Sequence, residues 1–504
     1  MRVGIVGAGV AGLTTAKVLL QAGHEVLVAD RAPDVGGVWS RTRRYPGLTT
    51  QSAKATYSLS DFPMPRDFPE WPTGAQVQRW LESYAETFGV DRHLLLGTSV
   101  ERAARQDDGW TLTLRSTVDG SVRTEKVDRL VVANGVFCEP AIPDFPGRQE
   151  FTAAGGRVCA GTEVHDAAEG AGRHVVVVGY GKSACDVTVP LSEVAASTHV
   201  VARQLLWKVP RRIAGRVNFK FLLLTRMGEA LFRYLRPGPV ERVLHGPADP
   251  VRRNMINSIG TVSRRQFKLD QLGLVPRGTM EGIVKGAIGL ATEGFFEGVE
   301  AGRIRVHRDT TIVRLLAVDG RPHAELSDGT TVPADLVVCA TGFTQGVPFL
   351  DPDVRSSLLD ERGNFLLYRQ ILPPVPGLYF NGYNSSFFSP LNAEMAAVWI
   401  AADLAGGLRL PPPEERRRAV AEQLAFMDEA TDGHHCRGTK IIPYSLHNLD
   451  EVLADLGVTI SALVRASHWL NPVSPAAYRA VTPKVLGRLR GTPATAPDDV
   501  TPVV

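Results

Sequence analysis

The chain has 504 residues, of which 44% are hydrophobic and 22% charged, and its formal net charge is +3. These are globular values that predict two or three domains with a sizeable core, and so small a charge argues against nucleic acid as a partner. Five scattered cysteines favour a reducing compartment and predict no metal site. With no signal-like segment and no apolar run of the ~18 residues that span a bilayer, we expect a cytoplasmic protein with little membrane contact.

The N-terminus predicts a strand–helix–strand unit. A buried strand over 2–6 leads into the turn Gly7-Ala8-Gly9-Val10-Ala11-Gly12, a helix follows over 13–22, and a second strand over 25–29 ends at Asp30. The first glycine permits the tight turn, the second lets a pyrophosphate approach the backbone, and the third lets the helix pack on the strand. Asp30 can accept hydrogen bonds from ribose hydroxyls. This context predicts a dinucleotide site.

Residues 31–72 form a long, loop-rich connection whose length and aromatic content favour a functional role. Thr73 is predicted to cap a helix over 73–88. A small meander is predicted next, with strands over 98–104, 109–116 and 121–126. A buried strand over 129–133 follows it. The Pro- and Gly-rich stretch 140–147 marks a domain edge.

A second glycine-rich turn, Gly179-Tyr180-Gly181-Lys182-Ser183-Ala184, follows the strand that starts at His174. Alanine at its third position is accepted and often accompanies the phosphorylated nicotinamide cofactor. Arg203 ends the next strand, where a carboxylate would repel a 2′-phosphate and a guanidinium would bind it. We therefore expect NADPH rather than NADH here; the alternative is that Arg203 is a solvated surface charge.

The stretch 204–300 has the weakest pattern. Its basic, apolar part from Arg211 to Arg242 is predicted to be a helix over the active-site mouth or against the second domain, in preference to a membrane-surface helix. The later elements are predicted as strands over 303–307, 311–316, 324–326, 336–340 and 378–382, and a helix over 394–405. Residues 491–504 are predicted to be a disordered tail.

Several segments together resemble the flavin-containing monooxygenase family of class B flavoprotein monooxygenases and its Baeyer-Villiger relatives. They are Gly36–Trp39, Arg44–Thr50, Ser60–Pro65, Gly179–Asp186, Arg203–Arg211 and Ala340–Phe343. The resemblance implies an α/β fold with two Rossmann-like domains, for FAD and for NADPH, the second inserted in the first. The implied domains are 1–160 and 321–490 for FAD and 161–320 for NADPH, with a divergent insertion at about 212–290.

The resemblance also implies the site residues. For FAD they are Gly7, Gly9, Val10, Ala11, Gly12, Asp30, Gly37, Val38, Trp39, Thr50, Gln51, Val100, Thr341 and Gly342. For NADPH they are Gly179, Gly181, Lys182, Ser183, Ala184, Arg203 and Arg211. Gln51 stands where heteroatom-oxidising members carry an asparagine, and His165 keeps the histidine of the family's interdomain signature, so both are candidate catalytic residues. Both aromatic positions of that signature are lost, and a structural role for His165 stays open.

The implied activity is transfer of one oxygen atom from O₂ to a small or medium organic substrate through a C4a-(hydro)peroxyflavin. Oxygenation at nitrogen or sulfur is favoured over Baeyer-Villiger oxidation of a ketone, because the loop around Gln51 lacks the aspartate of ketone-oxidising relatives. An oxidase that consumes NADPH without oxygen transfer remains an alternative. The basic, apolar stretch 212–245 hints at a hydrophobic substrate, and a homodimer stays open.

Overall fold

A computed structural model describes residues 1–106, 108–285 and 289–491, with the side chains of 283–285 left out. Its first large sheet is parallel throughout and has five strands. In spatial order these are Leu378–Phe380, Arg129–Val132, Arg2–Val6, Glu25–Ala29 and Leu94–Leu95. Strands from both ends of the chain therefore share one sheet, as the sequence predicts for a domain that is interrupted by another.

A second five-stranded parallel sheet forms the other unit. Its spatial order is Ile304–Arg308, Ser197–Ala202, His174–Val178, Leu336–Cys339 and Arg157–Ala160. The predicted boundaries at 160/161 and 320/321 leave its last two strands in the FAD domain. Because hydrogen-bonded strands of one sheet form one unit, we propose boundaries near 141 and 342 instead.

Smaller sheets flank the two large ones. Two antiparallel sheets have three strands each, Thr98–Gln106 with Gly109–Ser116 and Val122–Val127, and Ile312–Val318 with Arg321–Leu326 and Thr331–Pro333. Two-stranded pairings join Glu139–Pro140 to Phe343–Thr344, Lys208–Val209 to Gly289–Leu290, and Arg212–Ile213 to Val217–Asn218. The first of these pairings brings together the two chain crossings between the units.

Helices cover both sheets and form the C-terminal region. The α-helices are Val10–Gln21, Gly74–Thr87, Arg148–Ala153, Lys182–Ser192, Lys220–Leu223, Arg226–Ala230, Pro239–Leu244, Asp249–Gln266, Phe295–Glu300, Pro352–Leu358, Ser389–Leu404, Pro413–Thr431, Ser445–Asp455, Ala462–Ser467 and Val481–Leu489. Short 3-10 helices are Gly37–Trp39, Asp91–His93, Gly161–Glu163, Ala167–Gly170, Met280–Lys285, Ile442–Tyr444 and Pro475–Tyr478. The predicted cap at Thr73 is present, since its hydroxyl accepts from Gln76 N and Gln76 Oε1 accepts from Thr73 N.

The helix Ser389–Leu404 is the centre of the largest core. All its residues from Pro390 to Ala402 are buried, and it packs on Val10–Gln21, Ser445–Asp455 and Val481–Leu489. A helix that is apolar on every side is typical of a fully buried position. The C-terminal region thus completes the first unit and carries the core beneath the first glycine turn.

The basic, apolar stretch from Arg211 to Arg242 is not the single helix that its composition predicts. It contains one strand pair and the short helices Lys220–Leu223, Arg226–Ala230 and Pro239–Leu244. The Arg236–Pro239 segment, with two prolines, interrupts helical continuity. In the described part of the chain, no helix is long and apolar enough to cross a bilayer. The predicted disordered tail lies, from residue 492 onward, outside the described residues.

Candidate functional site

The first glycine turn has the backbone that phosphate binding needs. Gly7 adopts φ +114°, and a Cβ there would come within 2.4 Å of the Ala133 carbonyl oxygen. A Cβ on Gly12 would lie 1.8 Å from the Gly7 carbonyl oxygen, so only glycine lets the helix pack this closely. Gly9 precedes the helix Val10–Gln21, whose first turn receives no side-chain cap. Its N–H groups and positive dipole end are left for an anion.

Asp30 holds the turn in place as well as facing the cleft. Its Oδ2 accepts from Ala8 N at 2.7 Å, and its Oδ1 accepts from Ala32 N at 2.8 Å. Burial raises the pKa of the carboxyl, while these two N–H donors oppose the rise. The backbone bonds leave lone pairs on both oxygens, so the predicted contact to a ribose fits the geometry.

A cleft of about 1070 Å³ opens in front of this turn, and we name it the main cleft. Most of the predicted FAD residues line it, namely Gly7, Gly9, Val10, Ala11, Asp30, Gly37, Val38, Trp39 and Val100. Its length suits a dinucleotide, which is far larger than a single nucleotide base. The arrangement meets the rule that ligands bind outside the carboxyl ends of parallel strands.

Five residues predicted for FAD lie elsewhere. Gly12 packs behind the turn, and Thr341 and Gly342 lie at the chain crossing, where the Thr341 hydroxyl donates to the Ala141 carbonyl. Thr50 is buried, and Gln51 faces the insertion. Among the described residues, neither of these two lines the main cleft.

Sequence reasoning missed much of the far wall of the main cleft. Asn134 lines it and is fixed by Tyr383 OH at 2.7 Å and by the Gly346 carbonyl at 2.9 Å. The wall also includes Arg43, Gly346, Asn384 and Arg437. A signal was available for two of these residues, because Asn134 and Asn384 closely follow the buried strands Arg129–Val132 and Leu378–Phe380 in the same parallel sheet. Nothing local marks Arg437.

The second glycine turn repeats the backbone of the first. Gly179 has φ +122°, and a Cβ there would lie 2.6 Å from the Ala340 carbonyl oxygen. Gly181 precedes the helix Lys182–Ser192, again without a side-chain cap, and a Cβ at Gly181 would meet nothing within 4 Å. Ala184 is fully buried in the helix packing. An anion can therefore reach the open N–H groups of this helix.

Three side chains predicted for NADPH have partners within the protein. The Lys182 ammonium pairs with Asp186 on the same helix, and the Ser183 hydroxyl accepts from Tyr45 OH at 2.8 Å. Arg211 donates to Thr49 Oγ1 at 2.5 Å and lies 5.1 Å from the Trp71 ring. Arg211 thus bridges the insertion to the loop of the first unit.

Arg203 is exposed and lines a second cleft, of about 1160 Å³, between the second unit, the insertion and the helix Pro413–Thr431. Trp207, Arg233 and Arg277 line the same cleft. Arg203 follows the strand Ser197–Ala202, which pairs with the strand that leads into the second glycine turn. Its role remains a prediction.

The two candidate catalytic residues differ in position. Gln51 Oε1 accepts from Leu290 N at 3.4 Å, so the insertion covers this side chain. His165 lines the main cleft, where its Nδ1 lies 3.3 Å from the Arg44 carbonyl oxygen. Glu169, at the lost aromatic position, accepts from His165 N at 2.7 Å and pairs with Arg157 at 2.6 Å. A backbone hydrogen bond and an ion pair, both made by Glu169, therefore support this linker.

Two glycine turns at the carboxyl ends of two parallel sheets, one facing a cleft of dinucleotide size, define a protein that binds two dinucleotides. A family model described as "Flavin-binding monooxygenase-like" matches residues 1–245. The first 245 residues are therefore similar to flavin-binding monooxygenases, in agreement with the sequence motifs and with the curated relatives, and these findings support a flavin-dependent monooxygenase.

Curated relatives align over nearly the whole chain. "Probable flavin-containing monooxygenase 1" of Arabidopsis thaliana is 25% identical, covering 91% of this chain and 92% of its own. "Flavin-containing monooxygenase 3" of Macaca mulatta is 24% identical over 96% of this chain and 89% of its own. "Probable indole-3-pyruvate monooxygenase YUCCA9" of Arabidopsis thaliana is 29% identical over 82% and 91%.

Solved structures share the fold. A cyclohexanone-bound cyclohexanone monooxygenase superposes with a TM-score of 0.67 at 19% identity, covering 90% of this chain and 97% of its own. S-allyl-L-cysteine S-oxygenase from Allium sativum gives 0.61 at 18%, covering 97% and 98%. A structure of OTEMO with FAD and NADP gives 0.66 at 16%, covering 90% and 98%. The predicted α/β fold with two dinucleotide-binding units and the predicted cofactor pair are confirmed at this level.

Proposed function

We propose that this protein uses FAD and NADPH to insert one oxygen atom of O₂ into a nitrogen or sulfur centre of a small or medium organic substrate. In the balanced reaction, the substrate, O₂, NADPH and a proton are converted into the oxygenated substrate, NADP⁺ and water. Bound FAD would supply the acceptance of hydride from NADPH and the activation of O₂. The protein binds both dinucleotides, orients them and excludes water from the reaction.

One observation carries the proposal: the loop after the first glycine turn rests directly on the helix of the second. Tyr45 OH donates to Ser183 Oγ at 2.8 Å, and a Cβ on Gly47 would lie 2.4 Å from the Asp186 carbonyl oxygen. Thr162 and His165 of the linker to the second unit line the main cleft. The two cofactor sites are thus neighbours, as hydride transfer between two bound cofactors requires.

The type of oxygen transfer follows from the groups around Gln51. The segment Thr50–Lys54 contains no carboxylate, and Gln51 and Ser52 offer amide and hydroxyl groups that donate and accept. A loop without a carboxylate favours a protonated, electrophilic oxygen donor, which attacks nitrogen or sulfur. Baeyer-Villiger oxidation is the second candidate, because cyclohexanone monooxygenase shares the fold.

The test is a product balance with labelled oxygen. Purified protein is given NADPH, ¹⁸O₂ and either methyl phenyl sulfide or cyclohexanone, and NADPH consumption, hydrogen peroxide and product are measured together. We expect ¹⁸O-labelled sulfoxide close to one per NADPH and little lactone. Lactone as the main product would establish the Baeyer-Villiger alternative, whereas peroxide equal to NADPH with both substrates would establish an oxidase.

A further inference from the structure

An apolar cavity of about 40 Å³ lies where the insertion meets the C-terminal region. Its walls come from the insertion, through residues such as Leu223, Ile256 and Met280, and from Phe387 and Phe388. The volume exceeds the ~10–15 Å³ that one water needs, and an apolar lining gives water too few partners to stay. The cavity therefore suits a small hydrocarbon group.

The cavity adjoins the loop that carries Gln51. Leu290 N donates to Gln51 Oε1 at 3.4 Å, and Leu290 pairs in register with the wall residue Val209. On the other side, Ser52 Oγ donates to the carbonyl of the wall residue Phe387 at 2.8 Å. Two walls of the cavity are thus tied to two consecutive residues of the same loop.

The cavity also adjoins the main cleft. Ser385 and Ser389 line that cleft, while Phe387 and Phe388 between them line the cavity. The segment Ser385–Ser389 is therefore a wall that the two share. Its serines face the main cleft, and its phenylalanines face the apolar cavity. The cavity and the main cleft are therefore separated only by this one segment.

The carboxylate of Glu229 also lines the cavity, yet its charge is already compensated. It accepts from Leu446 N at 2.8 Å, from His447 N at 2.8 Å and from His447 Nδ1 at 2.6 Å. Together with a second bond from Nε2 to Glu241, this raises the pKa of His447 to about 10, so the imidazolium faces both carboxylates. What remains for a ligand is an uncharged apolar surface.

We propose that this cavity is the subsite for the apolar substituent of the substrate, next to Gln51. The substrate class is then an uncharged sulfide or amine with a short alkyl or small aryl group. The substrate class in this inference rests on the proposed oxygenation. The position of the subsite rests on the cavity alone.

The experiment varies the size of one wall residue. Leu223→Phe shortens the cavity and Leu223→Ala lengthens it, while Leu272→Phe and Leu272→Ala make the same changes at a half-buried leucine that packs on the second unit. For methyl propyl sulfide, we expect Leu223→Phe to raise the KM about tenfold, and for methyl hexyl sulfide we expect Leu223→Ala to lower it about tenfold. The Leu272 variants should leave both KM values unchanged.

A second readout does not depend on turnover. Xenon titration followed by ¹²⁹Xe NMR should show one saturable site in the parent protein, which methyl propyl sulfide displaces and which Leu223→Phe but not Leu272→Phe removes. Oxygenation with KM values insensitive to Leu223 would overturn the subsite and leave the function standing. The opposite result is also possible: Leu223→Phe removes the displaceable xenon site, but the protein consumes NADPH and forms no oxygenated product. That result would overturn the function and leave the binding site standing.

Discussion

The two glycine turns share a backbone but differ in what surrounds them. A Cβ on Gly9 would touch Gly37 at 3.5 Å, inside a long cleft walled by three further segments, whereas a Cβ on Gly181 would meet nothing within 4 Å. Asp30 is bonded to the backbone of its own turn, while Arg203 is exposed at the rim of another cleft. At its second glycine, the first turn is therefore the more closely packed of the two.

This contrast teaches that the same backbone motif can stand in different surroundings. Both helices begin without a side-chain cap and offer the same N–H groups. The difference comes from segments distant in sequence, which close over the first turn and leave the second open.

The largest expected effect comes from placing a side chain in each turn. Gly9 and Gly181 both adopt an extended backbone, with φ values of −81° and −71°. Valine is comfortable in this conformation, so the substitution introduces no backbone strain. We expect Gly9→Val to purify without flavin, because its side chain occupies the phosphate position. Gly181→Val should keep the flavin and lose reduction by NADPH. Absorbance spectra and anaerobic reduction measure both; retained flavin in Gly9→Val would contradict the assignment of the first site.

The next effect concerns the choice of nicotinamide cofactor. Loss of a charge-assisted contact costs about 1.5–3 kcal/mol, so Arg203→Ala should raise the KM for NADPH by about tenfold to hundredfold. The KM for NADH should change little, because NADH has no 2′-phosphate. Arg305→Ala, another exposed arginine on the same sheet, is the matched control. Equal effects of Arg203→Ala on both cofactors would show that Arg203 is a solvated surface charge.

A smaller effect is expected from a buried acid in the core of the first unit. Glu394 accepts from Ser60 N and Ser60 Oγ, and it faces Asp61, Tyr84 and the Lys17 ammonium. Burial, aided by Asp61, raises its pKa to about 7. The folded state therefore binds more protons than the unfolded state between pH 4.5 and 7, and the free energy of unfolding falls as pH rises through this window.

Between pH 4.5 and 7, Glu394 lowers the free energy of unfolding by about 3 kcal/mol as the pH rises. Glu394→Gln should abolish this fall and leave a flatter dependence of stability on pH. Urea unfolding of the holoprotein at several pH values measures it. Glu414→Gln, at an exposed position, is the control and should keep the parent profile. A slope unchanged by Glu394→Gln would show that another group titrates in this window.

The smallest expected effect tests the contact between the two units. Tyr45→Phe removes the hydrogen bond to Ser183, worth about 1 kcal/mol, so we expect flavin reduction by NADPH to slow about fivefold with normal flavin content. Tyr379→Phe removes a comparable bond to Asp403 away from both turns and should not slow reduction. Stopped-flow absorbance at saturating NADPH separates the two variants. Equal rates would mean that the contact does not position the cofactors.

Local pattern predicted the elements around both turns well. The strands Glu25–Ala29 and Gly109–Ser116 have the predicted bounds, and the helix capped by Thr73 differs by one residue at each end. These elements are short, strongly patterned and bounded by glycine or by a capping residue, so their limits are set by nearby residues. Of the fourteen residues predicted for FAD, nine line the main cleft.

The local sequence pattern was wrong or insufficient where contacts with distant segments determine the structure. Leu336–Cys339 reads as a buried strand, yet only its pairing with His174–Val178 assigns it to the second sheet. Gln51 stays a prediction for the flavin site, and only the tertiary structure shows that its amide oxygen accepts from Leu290 N, far along the chain. The stretch Arg211–Arg242 was predicted as one helix, although tertiary contacts with the first unit and the C-terminal region break it into short pieces.

By itself, the sequence determined that this protein has two dinucleotide turns, which of them carries the acid and which the arginine, and the class of chemistry that such a pair serves. Glycine spacing and hydrophobic runs suffice for this, because steric limits on a tight turn act within a few residues. Only the tertiary structure decided which turn is enclosed, that Tyr45 and Gly47 join the two units, and that an apolar cavity lies beside Gln51. Those features are contacts between segments hundreds of residues apart, which no local pattern encodes.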